Sequence, residues 1–318
     1  MKKIDLVVPA YNEEAVIGLF FDRVLAVIDG IKDYSFNVIM VNDGSRDQTL
    51  KLLLAARAHD PRIEVVDLSR NFGHEAALAA GLHCTTGDAV IVLDADLQDP
   101  PELIGEMLAE WEKGFDVVNA RRSSRKEDSF LKRWTAKQFY RTINSLAGKV
   151  RIPENVGNYR LISARVVNLL NALPEKNRVF RVLIPYLGFA TTEVQFVRPK
   201  RPAGLTHYNY SSMFRLAIDG ITSATIIPLK FAINVGFVIA GAGFFYMIYI
   251  IVAAIVARDA VQGWPSTMSI ILFLGGIQLV FLGVIGEYIG RIFLEIKARP
   301  DHVIRERHSS ASPGKPQK

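Results

Sequence analysis

The chain carries a single cysteine, Cys84, among 318 residues. An internal disulfide is therefore excluded, and no thiolate metal site is indicated. Cys84 lies in Gly81-Leu82-His83-Cys84-Thr85-Thr86-Gly87, which reads as the end of a helix rather than the setting of a nucleophile. No Gly-x-Gly-x-x-Gly follows the first apolar run, which disfavours a dinucleotide dehydrogenase. No Gly-x-x-x-x-Gly-Lys occurs, which removes the P-loop. Met1-Lys2-Lys3-Ile4-Asp5 runs straight into a strand-like segment, so no cleavable signal peptide is expected and the N-terminal part is expected in the cytosol. Charge is absent from two long stretches. Phe231 to Ala257 holds 27 residues without one, and Trp264 to Gly286 holds 23.

At about 1.5 Å per helical residue the first stretch is about 40 Å long, enough to span a bilayer with tilt. The short loop Arg258-Asp259-Ala260-Val261-Gln262-Gly263 between them makes a two-helix transmembrane hairpin, residues 231–286. Buried core helices of this length and composition are the weaker alternative. Lys230, Arg291, Lys297, Arg299, Arg305 and Arg307 flank one side, against Arg258 in the loop. The positive-inside rule then puts the rest of the chain on the cytoplasmic face. Gly275-Gly276 and Gly283 permit close helix approach and point to a homo-oligomer. Residues 211–230 read as an amphipathic interfacial helix, and 287–318 as a juxtamembrane helix with a disordered basic tail.

Residues 1–210 read differently. Apolar strand runs at 4–8, 36–41, 63–68 and 89–92 alternate with helical patterns at about 14–28, 48–58 and 75–82. The fold class expected is α/β, a doubly wound and mainly parallel sheet. A further helix is expected over Asn177–Gly188 and a late strand over 192–197. Ligands of such sheets bind beyond the carboxyl ends of the strands. The exits here are Pro9–Glu13, Asn42–Ser45, Arg70–Gly73 and Asp94–Gln98.

The last exit is the most informative. In an extended chain Asp94 and Asp96 point the same way. Two carboxylates backed by the Gln98 amide oxygen suit a hard cation, Mg2+ or Mn2+. A bare Asp-x-Asp is more often a solvated acidic turn; the neighbouring exits shift that balance. Between Arg121 and Arg151 stand ten basic residues against two acidic ones, Glu127 and Asp128, in a chain whose net charge is +6. So lopsided a count implies an anionic partner: phosphate, acidic lipid or nucleic acid.

These residues together resemble the inverting family-two glycosyltransferases, and more closely the membrane-anchored polyprenyl-phosphate sugar transferases. That group includes dolichol-phosphate mannose synthase and the bacterial enzymes that load glucose, N-acetylglucosamine or aminoarabinose onto undecaprenyl phosphate. The resemblance rests on Val8-Pro9-Ala10-Tyr11-Asn12-Glu13-Glu14, Val41-Asn42-Asp43-Gly44-Ser45, Ser69-Arg70-Asn71-Phe72-Gly73, Asp94-Ala95-Asp96-Leu97-Gln98-Asp99-Pro100, Gly283-Val284-Ile285-Gly286-Glu287-Tyr288-Ile289-Gly290-Arg291 and Ala298-Arg299-Pro300. It covers nearly the whole chain apart from the tail. The Gly-Glu-Tyr-Ile-Gly-Arg ending looks most like the bacterial O-antigen-type glucosyl carriers.

The resemblance implies a GT-A fold, a nucleotide sugar (UDP rather than GDP) and a polyprenyl phosphate as substrates, Mg2+ or Mn2+ as cofactor, and a place in the bacterial inner membrane. It implies that Pro9, Tyr11, Glu13, Asp43 and Arg70 hold the nucleotide, with Asp94 near ribose and diphosphate and Asp96 and Gln98 on the metal. Arg121, Arg133 and Arg201 match positions for the lipid phosphate. Two positions depart from the family pattern. Asn158 stands where relatives carry an acid near the reacting centre, and His207 where they carry a lysine. His207 reads equally as a phosphate contact or a surface histidine. A processive polysaccharide synthase is disfavoured by the absence of Gln-x-x-Arg-Trp and by too few spans. A non-catalytic nucleotide-sugar-binding membrane protein is kept open by Asn158. Nucleic-acid binding is disfavoured because no recognition module is evident.

Overall fold

The structure is a computed structural model and describes residues 1–123, 156–175, 178–197, 227–257 and 263–309. Arg133, Arg201, His207, residues 211–226 of the expected interfacial helix and the loop residue Arg258 lie outside the described residues, as does the tail beyond Ser309.

The chain runs β1 (Lys2–Ala10), α1 (Ile17–Gly30), β2 (Tyr34–Asn42), α2 (Thr49–His59), β3 (Ile63–Leu68), α3 (His74–His83) and β4 (Ala89–Val92). A single 3-10 turn, Pro101–Leu103, leads into α4 (Ile104–Glu112), then β5 (Val117–Arg122), β6 (Val156–Ser163), α5 (Ala164–Ala172), α6 (Phe180–Tyr186) and β7 (Thr191–Phe196). The long helices α7 (Ile227–Ala257) and α8 (Trp264–Ile296) follow, and a last strand β8 (Ile304–His308) closes the chain.

All eight strands form one sheet in the order β7-β5-β6-β4-β1-β2-β3-β8. The pairs β1–β2, β1–β4, β2–β3 and β5–β7 are parallel; β6 runs antiparallel to β4 and β5, and β8 antiparallel to β3. The sheet is therefore mixed. Helices cover both faces, which is why the central strands read as unbroken apolar runs. Leu6 and Val8 of β1 pack with Phe20 and Val24 of α1, Leu53 of α2 and Met107 of α4. Val7, pointing the other way, packs with Ala77 and Ala80 of α3, Val167 of α5 and Phe180 of α6.

Three features differ from expectation. β5 and β6 form the antiparallel half of the sheet, where the sequence reading placed no strands. Helix α6 is shorter than Asn177–Gly188, because Arg178 and Val179 are not helical. Part of the 287–318 segment, expected as helix and disordered tail, is strand β8. Polar contacts, not apolar patterning, hold it. Arg307 hydrogen-bonds the buried Glu64 carboxylate, and Arg305 pairs with Asp67 at 3.4 Å and donates to the Ser69 carbonyl at 2.8 Å. Arg57 donates to the His308 and Ser309 carbonyls. Arg305 and Arg307 are thus bound in the sheet and do not count as membrane-flanking charges.

Contacts divide the chain into two compact units, Met1–Asn209 with Pro300–Lys318, and Tyr210–Arg299. In the second unit α7 has 31 residues and α8 has 33, about 46 and 50 Å of helix. Helix α8 continues unbroken past Gly286 to Ile296, with an in-helix pair between Glu287 and Arg291 at 2.9 Å. Among the described residues one segment, Phe273–Ile296, is long and apolar enough to cross a membrane.

Candidate active site

The parallel strands β1, β2, β3 and β4 all end at one edge of the sheet, and the exit loops of the first three are bonded to one another. Asn12 has a left-handed backbone (φ 54°). Its amide N–H donates to Ser45 Oγ (3.0 Å), and its side-chain oxygen accepts from the Arg46 N–H (2.8 Å). The Glu13 N–H donates to Thr49 Oγ1 (2.9 Å). The first loop is thereby fixed on the second. Asp43, buried, fixes the second on the third: Oδ1 accepts from the Phe72 N–H (2.7 Å), and Oδ2 from the Gly73 N–H and from Asn71 Nδ2 (both 3.0 Å). Burial raises the Asp43 pKa, and the Phe72 and Gly73 amides work against that rise.

The nucleotide-site candidates lie along this edge. Pro9 is buried in the last turn of β1's pairing, opposite Val41. Tyr11 is exposed and Glu13 half-buried at the β1 exit. Arg70 is exposed, lies over the Phe72 ring (3.9 Å to its centroid) and donates to the Asn71 carbonyl.

Asp94, Asp96 and Gln98 leave β4 in a turn rather than in the extended chain assumed from the sequence. Leu97 there is left-handed, with φ 58°. Accessibility nevertheless alternates: Asp94, Asp96 and Gln98 are half-buried, while Ala95, Leu97 and Asp99 are buried. Asp96 Oδ1 accepts from the Gln98 N–H (3.0 Å), Asp99 Oδ2 from the Asp94 N–H (3.3 Å), and the Pro100 carbonyl from the Tyr159 hydroxyl (2.7 Å). Asp99 is pushed up to about 7, first by burial and then by the charges of Asp94 and Asp96. Three crowded carboxylates, with Asp94 Oδ1 buried and accepting no hydrogen bond, are a donor set that fits a divalent cation. No group of three or more His, Cys, Asp or Glu side chains forms a self-sufficient metal cage among the described residues. An ion here would share its coordination with a ligand's oxygens.

The rise at Asp99 has a consequence for stability. Its ordinary value is 3.8, so between about pH 4 and pH 7 the unfolded chain has lost this proton while the folded chain keeps it. Stability contributed by the buried neutral acid is therefore lost as pH rises through that window, and is flat above it. Asp99→Asn is expected to raise the unfolding temperature in chelator at pH 8, by a gain on the order of a few kcal/mol, and to leave it unchanged at pH 4. Thermal unfolding across that pH range measures it; a gain independent of pH would mean that Asp99 is not protonated in the folded state.

Two of the expected residues have partners that the sequence does not reveal. Arg121 pairs with Glu193 of β7 at 2.9 Å, and that carboxylate offsets its charge. Its neighbour Arg122, on the other face of β5, is the cation within electrostatic reach of Asp99. The guanidinium of Arg122 lies 3.5 Å from where a side chain at Gly157 would begin. Asn158 lies against His74, the first residue of α3, with its Nδ2 at 2.9 Å from the imidazole Nε2. That same Nε2 is 3.7 Å from Asp94 Oδ1. Neither His74 nor Arg122 was singled out by sequence. The antiparallel pairing of β4 with β6 ends with Val92 opposite Arg160, two residues from Asp94 and from Asn158, and His74 at the start of α3 reaches both.

The comparisons with known proteins agree with one another. The family described as glycosyl transferase family 2 matches residues 5–170, and the GtrB C-terminal hairpin matches 227–292. A bactoprenol glucosyl transferase from Shigella phage SfX is 43% identical over 305 residues, covering 96% of this chain and 99% of that protein. An SfII prophage-derived bactoprenol glucosyl transferase from Shigella flexneri is 41% identical, covering 96% and 98%. Among solved structures, the crystal structure of glucosyl-3-phosphoglycerate synthase from Mycobacterium tuberculosis in complex with Mn2+, UDP and phosphoglyceric acid superposes with a TM-score of 0.50 at 22% identity, over 70% of this chain and 78% of that one. That likeness establishes the shared GT-A-type sheet. On the family match, the near end-to-end relatives and the shared fold, the chain belongs to glycosyl transferase family 2 and is a glycosyltransferase bearing a GtrB-type C-terminal hairpin.

Proposed function

We propose that the chain transfers glucose from UDP-glucose to a polyprenyl phosphate, with inversion at the anomeric carbon, and so makes a lipid-held sugar donor for the cell envelope. The observation that carries this is that the likeness to the bactoprenol glucosyl transferases runs through the sheet and the hairpin alike.

The chemistry of the site supports it. A lipid phosphate is already an anionic nucleophile, so no acceptor hydroxyl has to be deprotonated. What the chain must supply is alignment and charge. Tyr11, Glu13, Asp43 and Arg70 are the residues proposed to hold the nucleotide. Asp96 and Gln98 would hold Mg2+ or Mn2+, which supplies charge neutralisation on the leaving diphosphate, with Asp94 beside the ribose and diphosphate. Arg121, Arg133, Arg201 and His207 are the residues proposed for the acceptor phosphate. For Arg121 that role includes exchanging the Glu193 carboxylate for the phosphate.

We further propose two membrane crossings. The chain leaves the sheet unit at Asn209 and rejoins it at Pro300 to add β8. With both ends on one side, any crossings between those points must be even in number. Lys230, Arg291, Lys297 and Arg299 flank the two helices, against Arg258 between them, which favours a cytoplasmic face for the sheet unit.

The test uses purified protein in detergent with undecaprenyl phosphate, a panel of radiolabelled UDP-sugars and GDP-mannose, and Mn2+ or EDTA. Label from UDP-glucose entering the lipid phase, only with the metal, is the expected result. UDP-sugar binding with no transfer from any donor would favour the non-catalytic binding protein instead. A second expectation concerns the departure from the family pattern. If the phosphate needs no base, Asn158→Asp leaves turnover within about threefold. A gain of more than tenfold would mean that a carboxylate base is missing.

A further inference from the structure

We propose that His74 and Asn158 form the subsite that reads a hydroxyl of the donor sugar, His74 acting as the positioning residue and the Asn158 amide as the reader. The inference rests on the glucosyl-transfer reading for the identity of the sugar.

Three polar groups from distant parts of the chain meet here. His74 Nε2 lies 2.9 Å from Asn158 Nδ2 and 3.7 Å from Asp94 Oδ1. Two of the oxygens in this cluster, Asp94 Oδ1 and Asn158 Oδ1, are buried and accept no hydrogen bond. Buried acceptors left unsatisfied cost free energy, and two of them around one imidazole suit a donor that arrives later. The imidazole engages only one of the two polar atoms of the Asn158 amide. Whichever way round the amide lies, its other polar atom is left in the site.

A sugar hydroxyl suits this arrangement better than a phosphate oxygen. It both donates and accepts, so it can give its proton to Asp94 Oδ1 or to the amide oxygen and still receive a hydrogen bond. A phosphate oxygen only accepts and would face a carboxylate. The supports of the cluster are rigid. His74 opens α3, whose last turn is packed on the sheet so closely that a side chain at Gly81 would lie 2.4 Å from Val7 Cγ1. Asn158 lies in β6 two residues before Arg160, which pairs with Val92 of β4 and Asn119 of β5. A reader of this kind needs such fixed placement to discriminate between hydroxyl configurations.

The experiment is calorimetric binding of UDP and of UDP-glucose, with Mn2+, to the full-length protein and its variants in detergent. In the wild type, UDP-glucose is expected to bind more tightly than UDP. His74→Ala is expected to lose about tenfold of the UDP-glucose affinity, the worth of a hydrogen bond, while UDP affinity stays constant. Asn158→Ala is expected to do the same, and the double variant to lose no more than either single one. His74→Gln, which keeps a polar atom near the Nε2 position, is expected to restore part of the loss. An equal loss for UDP and UDP-glucose would overturn the proposal, showing that His74 only supports α3. So would additive losses, or no loss at all. If His74→Ala does not fold, Asn158→Ala alone decides between the same outcomes. Transfer to undecaprenyl phosphate is read separately. Sugar-dependent binding without transfer would leave the subsite standing and remove the transfer reading.

Discussion

Asp96→Asn is expected to lower transfer by about a thousandfold while leaving the metal-free fold intact. The substitution is close to isosteric. Asp96 Oδ1 holds the Gln98 N–H at 3.0 Å, and an amide oxygen can accept the same bond. The turn with left-handed Leu97 would therefore keep its shape. What is lost is a negative charge among three crowded carboxylates. Asp96 is also one of the charges that raise the Asp99 pKa, so the metal-free variant is expected to be at least as stable as the wild type at pH 8. The loss should appear only when a divalent ion is present. In the wild type Mn2+ with UDP is expected to raise the unfolding temperature, as any ligand of the folded state does; in Asp96→Asn that rise should largely vanish. Turnover within tenfold of wild type, or an undiminished Mn2+ response, would show that the ion is held without Asp96.

The parallel half of the sheet was legible because its physics is local. Four apolar runs separated by helical patterns specify β1 to β4, and their exits fall together by topology. The antiparallel half was not. β5 ends in Arg121 and Arg122, and the run of basic residues that begins there masks the short apolar pair Val117-Val118. β8 was illegible for a different reason. Four of its five residues, Arg305-Glu306-Arg307-His308, are polar, and it is held by Glu64, Asp67 and Arg57, which lie more than 200 positions earlier. No periodicity marks a strand whose partners are ion pairs.

The same division applies to the site. Asp94, Asp96 and Gln98 form a short-range pattern and can be picked out in the sequence. His74 looks like any helix-opening residue until α3 is laid on the sheet and β6 is set antiparallel to β4. Asn158 was noticed only as a departure from a family pattern; its contact with His74 depends on that same long-range pairing. For Arg121 the motif position is recognisable in the sequence, but only the β5–β7 pairing shows Glu193 beside it.

Gly44→Ala is expected to be the most damaging single-methyl change in the proposed nucleotide site. Gly44 has φ +63°, and a Cβ there would lie 2.4 Å from the Arg70 carbonyl carbon, 2.6 Å from the Asn71 nitrogen and 2.8 Å from the Arg70 Cα. All three are backbone atoms, so no side chain can swing aside. The loops after β2 and β3 would have to separate. Their separation breaks the bonds from the Phe72 and Gly73 amides and from Asn71 to the Asp43 carboxylate. That carboxylate would be left buried without its donors. Left-handed strain contributes about 1–2 kcal/mol, and the overpacked contact about 1–3 kcal/mol more. The expected outcome is a fall of several degrees or more in unfolding temperature, and loss of UDP binding by at least about tenfold, a loss equivalent to about 1.4 kcal/mol. Gly18→Ala supplies the comparison. It lies in α1 with nothing within 4 Å of its Cβ position and without a positive φ, so it is expected to be neutral or slightly stabilising. If Gly44→Ala instead bound UDP and melted like Gly18→Ala, the close approach of the two loops would not be what shapes the nucleotide site, and Asp43 would have to reach the nucleotide in some other arrangement.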